Sequence, residues 1–200
     1  MGLKLISPPI APTLSLDEVK AHVRVDTTDE DAILTSLEKA ATQQAEGWTG
    51  RALVDQTWDL YLDTFPMSPD MEIQIPKPPL IQIIYVQYDD PSGVTQTVDP
   101  TTYYVDSASE PAWIVPAGNL TWPNTLSAIN AVRVRFRAGY VDASSPPVTL
   151  VPEDIRHALR LLIGSNYEYR ELMVESRMTF SMPWTVENIL RQHRVQLGMA

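Results

Sequence analysis

The sequence predicts an α+β fold, a helical core bracketing a β-rich insertion. Three observations carry that reading. Apolar residues recur at helical spacing between residues 14 and 50 and again beyond residue 150. Between about residues 52 and 140 they alternate with polar ones, as in half-buried strands. Pro and Gly gather where the period changes. The expected organisation is a core from residues 14–50 and 150–175, an insertion at 51–141 and a separable C-terminal segment at 176–200. Two hundred residues suit one domain, or one domain with a large insertion, and can bury a real core.

The first helix opens in "TLSLDEVKAHVRV". Ser15 is its N-cap, Glu18 completes a capping box, and Asp17 and Glu18 meet the positive end of the helix dipole. Leu16, Val19 and Val23 share one face. The next stretch, "VRVDTTDEDAILTSLEKAA", crowds Asp26, Asp29, Glu30 and Asp31 ahead of a periodic apolar run. A calcium loop counted from Asp26 needs an Asp or Asn third, Gly sixth and Glu twelfth; the chain has Thr28, Asp31 and Leu37 there. The acids read instead as a helix start, with Thr28 as cap and Asp29, Glu30 and Asp31 in the first turn. Ile33, Leu34, Leu37, Ala41, Gln44 and Trp48 then follow helical spacing, and Gly50 is expected as a left-handed cap.

From Arg51 the period becomes two. Trp58, Leu60 and Leu62 alternate with Asp59, Tyr61 and Asp63. "MEIQIP" and "IQIIYVQYDD" read as two more strands, "DDPSGVTQT" as a turn, and "TYYVDS", "AWIVP" and "AVRVRFRAGY" as further strands. In the last, Arg133, Arg135 and Arg137 share one face, which suits phosphate or, more commonly, an exposed sheet face. A Ser/Pro stretch follows and reads as a linker. Pro152, Glu153 and Asp154 then open a helix with Ile155, Leu159, Leu162, Ile163 and Tyr169 as its buried stripe. Gly164 in that helix is costly unless a neighbour packs closely there. "SRMTFSMP" breaks the helix, and "WTVENILRQHRV" forms a final amphipathic one with Val186, Ile189, Leu190 and Val195.

Composition narrows the function. Cysteine is absent, which removes disulfides and thiolate metal sites. No apolar run approaches the roughly 18 residues that span a bilayer. "MGLKLISPPIAP" lacks a signal-peptide core, and Ile6 stands where myristoylation wants Ser or Thr, so a protein that stays where it is made, with no membrane partner, is expected. A net charge of −10 argues against a sequence-reading DNA binder. Residues 1–130 hold 6 Lys/Arg against 18 Asp/Glu, and residues 131–200 hold 9 against 7, an acidic body with an Arg-richer end.

His22, His157 and His193 lie far apart, and no HExxH, GxSxG, phosphate loop or dinucleotide fingerprint occurs. Glu168, Arg170 and Glu171 read as a solvated helix face. No metal, cofactor or catalytic activity is expected. Trp48 and Trp58 lie on periodic faces and read as core. Trp122 and Trp184 stand in irregular or terminal contexts, where Trp is also favoured at protein contacts, and Trp184 is the better interface candidate.

The ordered set "LSLDEVKAHVRVD", "DEDAIL", "GWTGRAL", "QTWDLYLDTFP", "PKPPLIQIIYV", "YYVDSASEPAWIVP", "RVRFRAGY" and "VPEDIRHALRLLIGSNYEYRE" resembles the tailed-phage head–tail connector, or adaptor, proteins. More narrowly it is similar to their gp6-like and gp8-like branch, which has counterparts in gene transfer agents. The resemblance spans about residues 14–175. It implies a structural ring, usually of twelve copies, under the portal protein of a DNA-filled head. It also implies a stopper or tail-completion protein below the ring, DNA passing through without sequence-specific binding, and a location in a virion or phage-like particle assembled in the bacterial cytoplasm.

Within that picture Asp29, Glu30 and Asp31 are candidate channel-lining residues, because a carboxylate wall repels phosphates that Lys or Arg would bind. A solvated outer surface is an equal reading of the same acids. Residues 176–200 are the candidate portal-docking segment, with Trp184, Ile189 and Leu190 as apolar anchors and Arg191 and Arg194 pairing with portal carboxylates. Packing of this helix on its own subunit is the competing reading. Two rival functions stand beside the connector: a stopper or tail-completion part, and a wall-polymer hydrolase using carboxylates such as Asp59 and Asp63.

Overall fold

The computed structural model describes residues 1–67, 71–141, 150–168 and 182–195. The chain divides into two compact units. A β unit comprises Met1–Ile10 and Asp55–Tyr140, and a helical unit draws on Ala11–Val54 and the described part of Val141–Gln196. The α+β class is the one the periodicities predict.

The β unit contains β1 (Gly2–Ser7), β2 (Gln56–Leu62), β3 (Ile73–Ile75), β4 (Leu80–Asp89), β5 (Thr95–Thr97), β6 (Tyr103–Asp106), β7 (Ala112–Pro116) and β8 (Val132–Ala138). They form two antiparallel sheets, ordered β1-β2-β8-β4-β5 and β3-β7-β6. β8 shows why period two sufficed to find it: Val132, Val134, Phe136 and Ala138 are buried while the three arginines between them are half-buried. Leu60, Val86, Ile73, Ile75 and Ile114 complete this core. β1 was not expected, because six residues ahead of "PPIAP" carry little pattern of their own and are organised only by pairing with β2.

Trp122 is an anchor of the β unit. It is buried, stacks on Phe65 at 4.8 Å, and donates its indole N–H to the Met71 carbonyl at 2.8 Å. Its place in an irregular stretch therefore marks packing, not an open contact surface.

The helical unit contains α1 (Leu16–Val23), α2 (Asp31–Thr49), α3 (Glu153–Glu168) and α4 (Trp184–Gln192). The capping box on α1 forms as expected: Ser15 Oγ accepts the Glu18 N–H at 3.3 Å, and the Glu18 carboxylate accepts the Ser15 N–H at 2.9 Å. Gly50 ends α2 at φ 75°, its N–H returning to the Glu46 carbonyl.

The start of α2 differs from expectation. Thr28 is not its cap, and of the three acids only Asp31 lies in the first turn, with Glu30 at the N-cap position. Residues ahead of it form a turn in which the Thr28 carbonyl accepts the Asp31 N–H at 3.3 Å. The carboxylates are drawn to neighbours instead: Glu30 accepts from the Tyr167 hydroxyl, and Asp31 pairs with Lys20 Nζ at 2.8 Å.

The buried face of α2 is also rotated. Leu34, Glu38, Ala41, Thr42, Ala45 and Thr49 face inward, whereas Ile33, Gln44 and Trp48 are exposed. Glu38 explains the shift. Its buried carboxylate accepts the N–H groups of Thr13 and Leu14 at 2.9 and 3.3 Å and the Thr42 hydroxyl at 3.1 Å. A polar residue with partners sits in the interior at little cost, and apolar periodicity alone overlooks it.

On α3, Ile155, Leu159, Leu162 and Ile163 are buried as expected, and a Cβ added at Gly164 would meet His22 Nε2 at 3.1 Å. The close neighbour that Gly164 called for is thus an imidazole. Tyr169, Arg170, Glu171, the Ser/Pro stretch at 142–149 and residues 176–181 lie outside the described residues. α4 buries Val186 and Leu190 within the helical unit, and the chain after it is tied back by Val195 N–H to the Thr49 carbonyl at 2.8 Å.

Ion pairs join α1, α3 and the end of α4. Arg156 reaches Glu18, Arg160 reaches Glu153 at 2.7 Å, and His193 Nε2 lies 2.5 Å from Asp154. Burial raises the Glu18 carboxyl, but the bonds from Ser15 and the charge of Arg156 outweigh it and hold the group below its ordinary 4.5. Burial likewise pushes the Asp154 carboxyl up, but the bond to His193 together with the Ile155 N–H outweighs it and holds the group below its ordinary 3.8. Folded values below unfolded ones mean stability that is present above the unfolded pKa and lost as pH falls through the folded one. The helical unit is therefore expected to lose stability below about pH 4.5, and Glu18→Gln to flatten that loss in acid unfolding followed by far-ultraviolet circular dichroism.

Candidate functional site

Registry across β2, β8 and β4 sets a charged face on the five-stranded sheet. Asp59 lies opposite Arg135, Tyr61 opposite Arg133 and Thr57 opposite Arg137, with Tyr85 and Gln87 flanking from β4. Arg135 donates from Nε and Nη2 to both oxygens of Asp59 at 2.6 and 2.7 Å. Arg137 forks in the same way onto Asp55, with Nε at 3.0 Å. Arg133 bonds to the Gln87 side chain, and the Arg133 and Arg135 guanidinium groups lie 5.4 and 5.1 Å from the Tyr85 ring centre. The arginine alternation is as predicted. Its arginines are engaged by partners of the same sheet face, so it is not an array of unpaired cations waiting for phosphate.

The same geometry gives partners to both carboxylates that a hydrolase would use. Asp59 is 1% exposed and is held by Arg135, and Asp63 accepts the Asn130 N–H at 2.9 Å. Removing Arg135 leaves Asp59 as an uncompensated buried charge. Arg135→Met is expected to cost about 3 kcal/mol, the low end for breaking a buried pair because Arg135 itself is partly solvated, with the loss read from urea unfolding of the full chain.

An open groove of about 880 Å³ in the β unit is lined by Phe65, Met67, Trp122, Leu126 and Ile129, with Asp63 at its side. Thr64, Asn124, Thr125 and Ser127 make the rest of its lining partly polar, and the described lining contains no His, Lys or Arg. Among the described residues no group of three His, Asp or Glu side chains could hold a metal ion. No helix among them is long and apolar enough to cross a membrane. Folding does bring His22 near His157 and Arg160. Burial, then Arg160, then His157 hold the His22 imidazole below its ordinary 6.5, an arrangement suited to packing against Gly164.

The candidate docking residues separate by exposure. Trp184 is 78% exposed, Arg191 and Arg194 are exposed, and Ile189 is half-buried. Leu190 is 0% exposed and belongs to the interior of its own unit. Among the candidate channel acids only Asp29 is exposed; Glu30 and Asp31 are half-buried in the contacts with Tyr167 and Lys20. The arrangement offers an exposed indole and guanidinium on α4, Trp184 and Arg191, and a second exposed guanidinium, Arg194, just past the helix end. That combination suits protein contact better than turnover.

Comparison with known proteins agrees with this geometry. Residues 13–89 match the family model described as phage gp6-like head-tail connector protein. No curated protein matches the chain. Three solved structures share the fold over 100% of this chain and 98% of theirs. They are the neck of an empty gene transfer agent particle computed with C6 symmetry (24% identity, TM-score 0.74), the virion of a native gene transfer agent particle (22%, 0.73) and the neck of a native particle computed with C12 symmetry (23%, 0.71). The resemblance read from the sequence is thus upheld: residues 13–89 carry the gp6-like head–tail connector pattern, on a chain that has throughout the fold of gene transfer agent neck proteins.

Proposed function

We propose that the chain is a structural connector, not an enzyme, in the neck of a phage or phage-like particle. Copies form a ring, of twelve in the fullest version of this reading, under the portal protein. A stopper or tail-completion protein joins from below, and DNA leaves through the ring. The observation that carries the proposal is the connector-family match over residues 13–89 on a fold shared from end to end with particle necks. The helical core at 14–50 and 150–175 and the insertion at 51–141 build the ring body, and residues 176–200 dock on the portal. In that segment Trp184, Arg191 and Arg194 present the contact face, flanked by Ile189, while Leu190 holds α4 to its own subunit.

The charge of −10 suits a conduit. A wall with excess carboxylate repels phosphates and releases no counterions, so a duplex slides past it. Asp29 is the exposed member of the candidate acids. Each docking contact is modest, and symmetry multiplies it.

Imaging the purified chain mixed with its portal tests the proposal. A ring stacked on the portal is expected, and it is expected to disappear when residues 176–200 are removed. No association with an assembled portal moves the chain to the stopper or tail-completion position. Normal tailed particles from a deletion strain overturn the connector role altogether.

A further inference from the structure

We propose, resting on the ring reading above, that β1 of one copy adds as an extra strand to β6 of the next. Among the described residues both strands are sheet edges: β1 pairs there with β2 alone, and β6 with β7 alone. Each therefore leaves one row of backbone N–H and C=O groups without a strand partner, the arrangement on which strand addition works. Proline is absent from both strands, and their charges are one apiece, Lys4 on β1 and Asp106 at the end of β6, of opposite sign. Both also keep large side chains in water, with Leu3 38%, Leu5 40%, Val105 41% and Tyr104 62% exposed.

The faces of the two strands match. On β1, Leu3 and Leu5 point to the side of Leu60 and Trp58, their partners on β2, while Lys4 lies on the opposite side with Asp59. On β6, Val105 shares a side with the buried Tyr103, and Tyr104 shares the other with Asp106. Set edge to edge, Leu3 and Leu5 continue the apolar side of Val105, and Lys4 meets the Tyr104 ring and the Asp106 carboxylate.

The other edges fit less well. β5 is polar and its side chains are engaged, Thr95 with Asp89 at 2.7 Å, Gln96 with Asp90 at 3.0 Å and Thr97 with Gln87 at 3.2 Å. β3 has Ile73 and Ile75 buried.

Because β1 and β6 belong to different sheets, one copy offers both at once, and the contact is head to tail. Such a contact builds a ring where the rotation between copies closes, whereas β1 against β1 would stop at a dimer. The pairing is short by construction. The register of β1 shifts between Leu5 and Ser7, Pro8 and Pro9 follow, and β6 has four residues. A short pairing is weak alone and accumulates around a closed ring.

The chain has no cysteine, so introduced pairs report cleanly. Particles carrying the double variant Lys4→Cys with Tyr104→Cys are oxidised and run on denaturing gels without reductant. A ladder rising in steps of one chain is expected, with each single variant remaining monomeric. A second pair, Leu3→Cys with Val105→Cys, reads the other face and stands in if the first variant fails to fold. Dimers from Lys4→Cys alone overturn the proposal in favour of β1 against β1. Particles that contain the double variants yet give no ladder overturn the edge pairing and leave the connector reading intact. Tailed particles that lack the chain overturn the connector reading, and the pairing with it.

Discussion

Trp122→Ala is expected to lower the melting temperature of the β unit by about 15 °C. Deleting a buried tryptophan costs about 3–5 kcal/mol, since the lost transfer free energy is joined by that of the cavity left behind. Here the ring is buried, stacked within 5° of coplanar on Phe65 and tilted against Tyr103 at 6.3 Å. Its N–H also closes the Met71 carbonyl, which loses its partner in the variant. For a unit of roughly one hundred residues about 4 kcal/mol is a large share of total stability. Near-ultraviolet circular dichroism on heating measures it. Trp184→Ala is the matched control, and at 78% exposure it is expected to change stability by no more than about 0.5 kcal/mol. If both variants melt alike, the division of the tryptophans into a core anchor and an outward contact is wrong.

That division was half legible in the sequence. Trp184 heads an amphipathic helix, and its exposure follows from the phase of Val186 and Leu190. Trp122 stands in "LTWPNT", where nothing local says what it touches; its partner carbonyl at Met71 is 51 residues away. The contrast runs through the whole chain. Ser15 with Glu18, Gly50, the stripe on α3 and the alternation on β8 involve groups a few residues apart, and each was readable from spacing. The Asp59–Arg135 fork joins residues 76 apart, and Asp59 looked like the outward half of an alternating strand until registry supplied its cation. On α2 the misread phase has the same origin. Glu38, Thr42 and Thr49 are polar by type but interior by virtue of their hydrogen bonds, and Glu38 depends on backbone N–H groups of residues 24 and 25 positions back.

Reversing the exposed charges on and just after α4 while truncating its indole, in Trp184→Ala with Arg191→Glu and Arg194→Glu, is expected to abolish stacking on the portal without altering the fold. All three side chains are exposed, so the melting curve should move little. Binding should not survive. An indole anchor contributes about 2 kcal/mol at a well-packed contact, and turning two paired guanidinium groups into carboxylates replaces attraction with repulsion. Taken together at about 4 kcal/mol per copy, the loss is roughly a thousandfold for each contact. A ring engages its portal through every copy at once, so the deficit compounds around the axis where a single-site variant would be masked by avidity. Val186→Ala and Leu190→Ala act differently: they hollow the helical unit and should destabilise it by about 2–5 kcal/mol each. The two sets therefore separate docking from folding. A triple variant that melts normally and yields tailless heads assigns the outer face of α4 to the portal. If the same variant instead yields tailed particles in normal number, that face is solvent in the particle, and portal contact belongs to another surface of the chain.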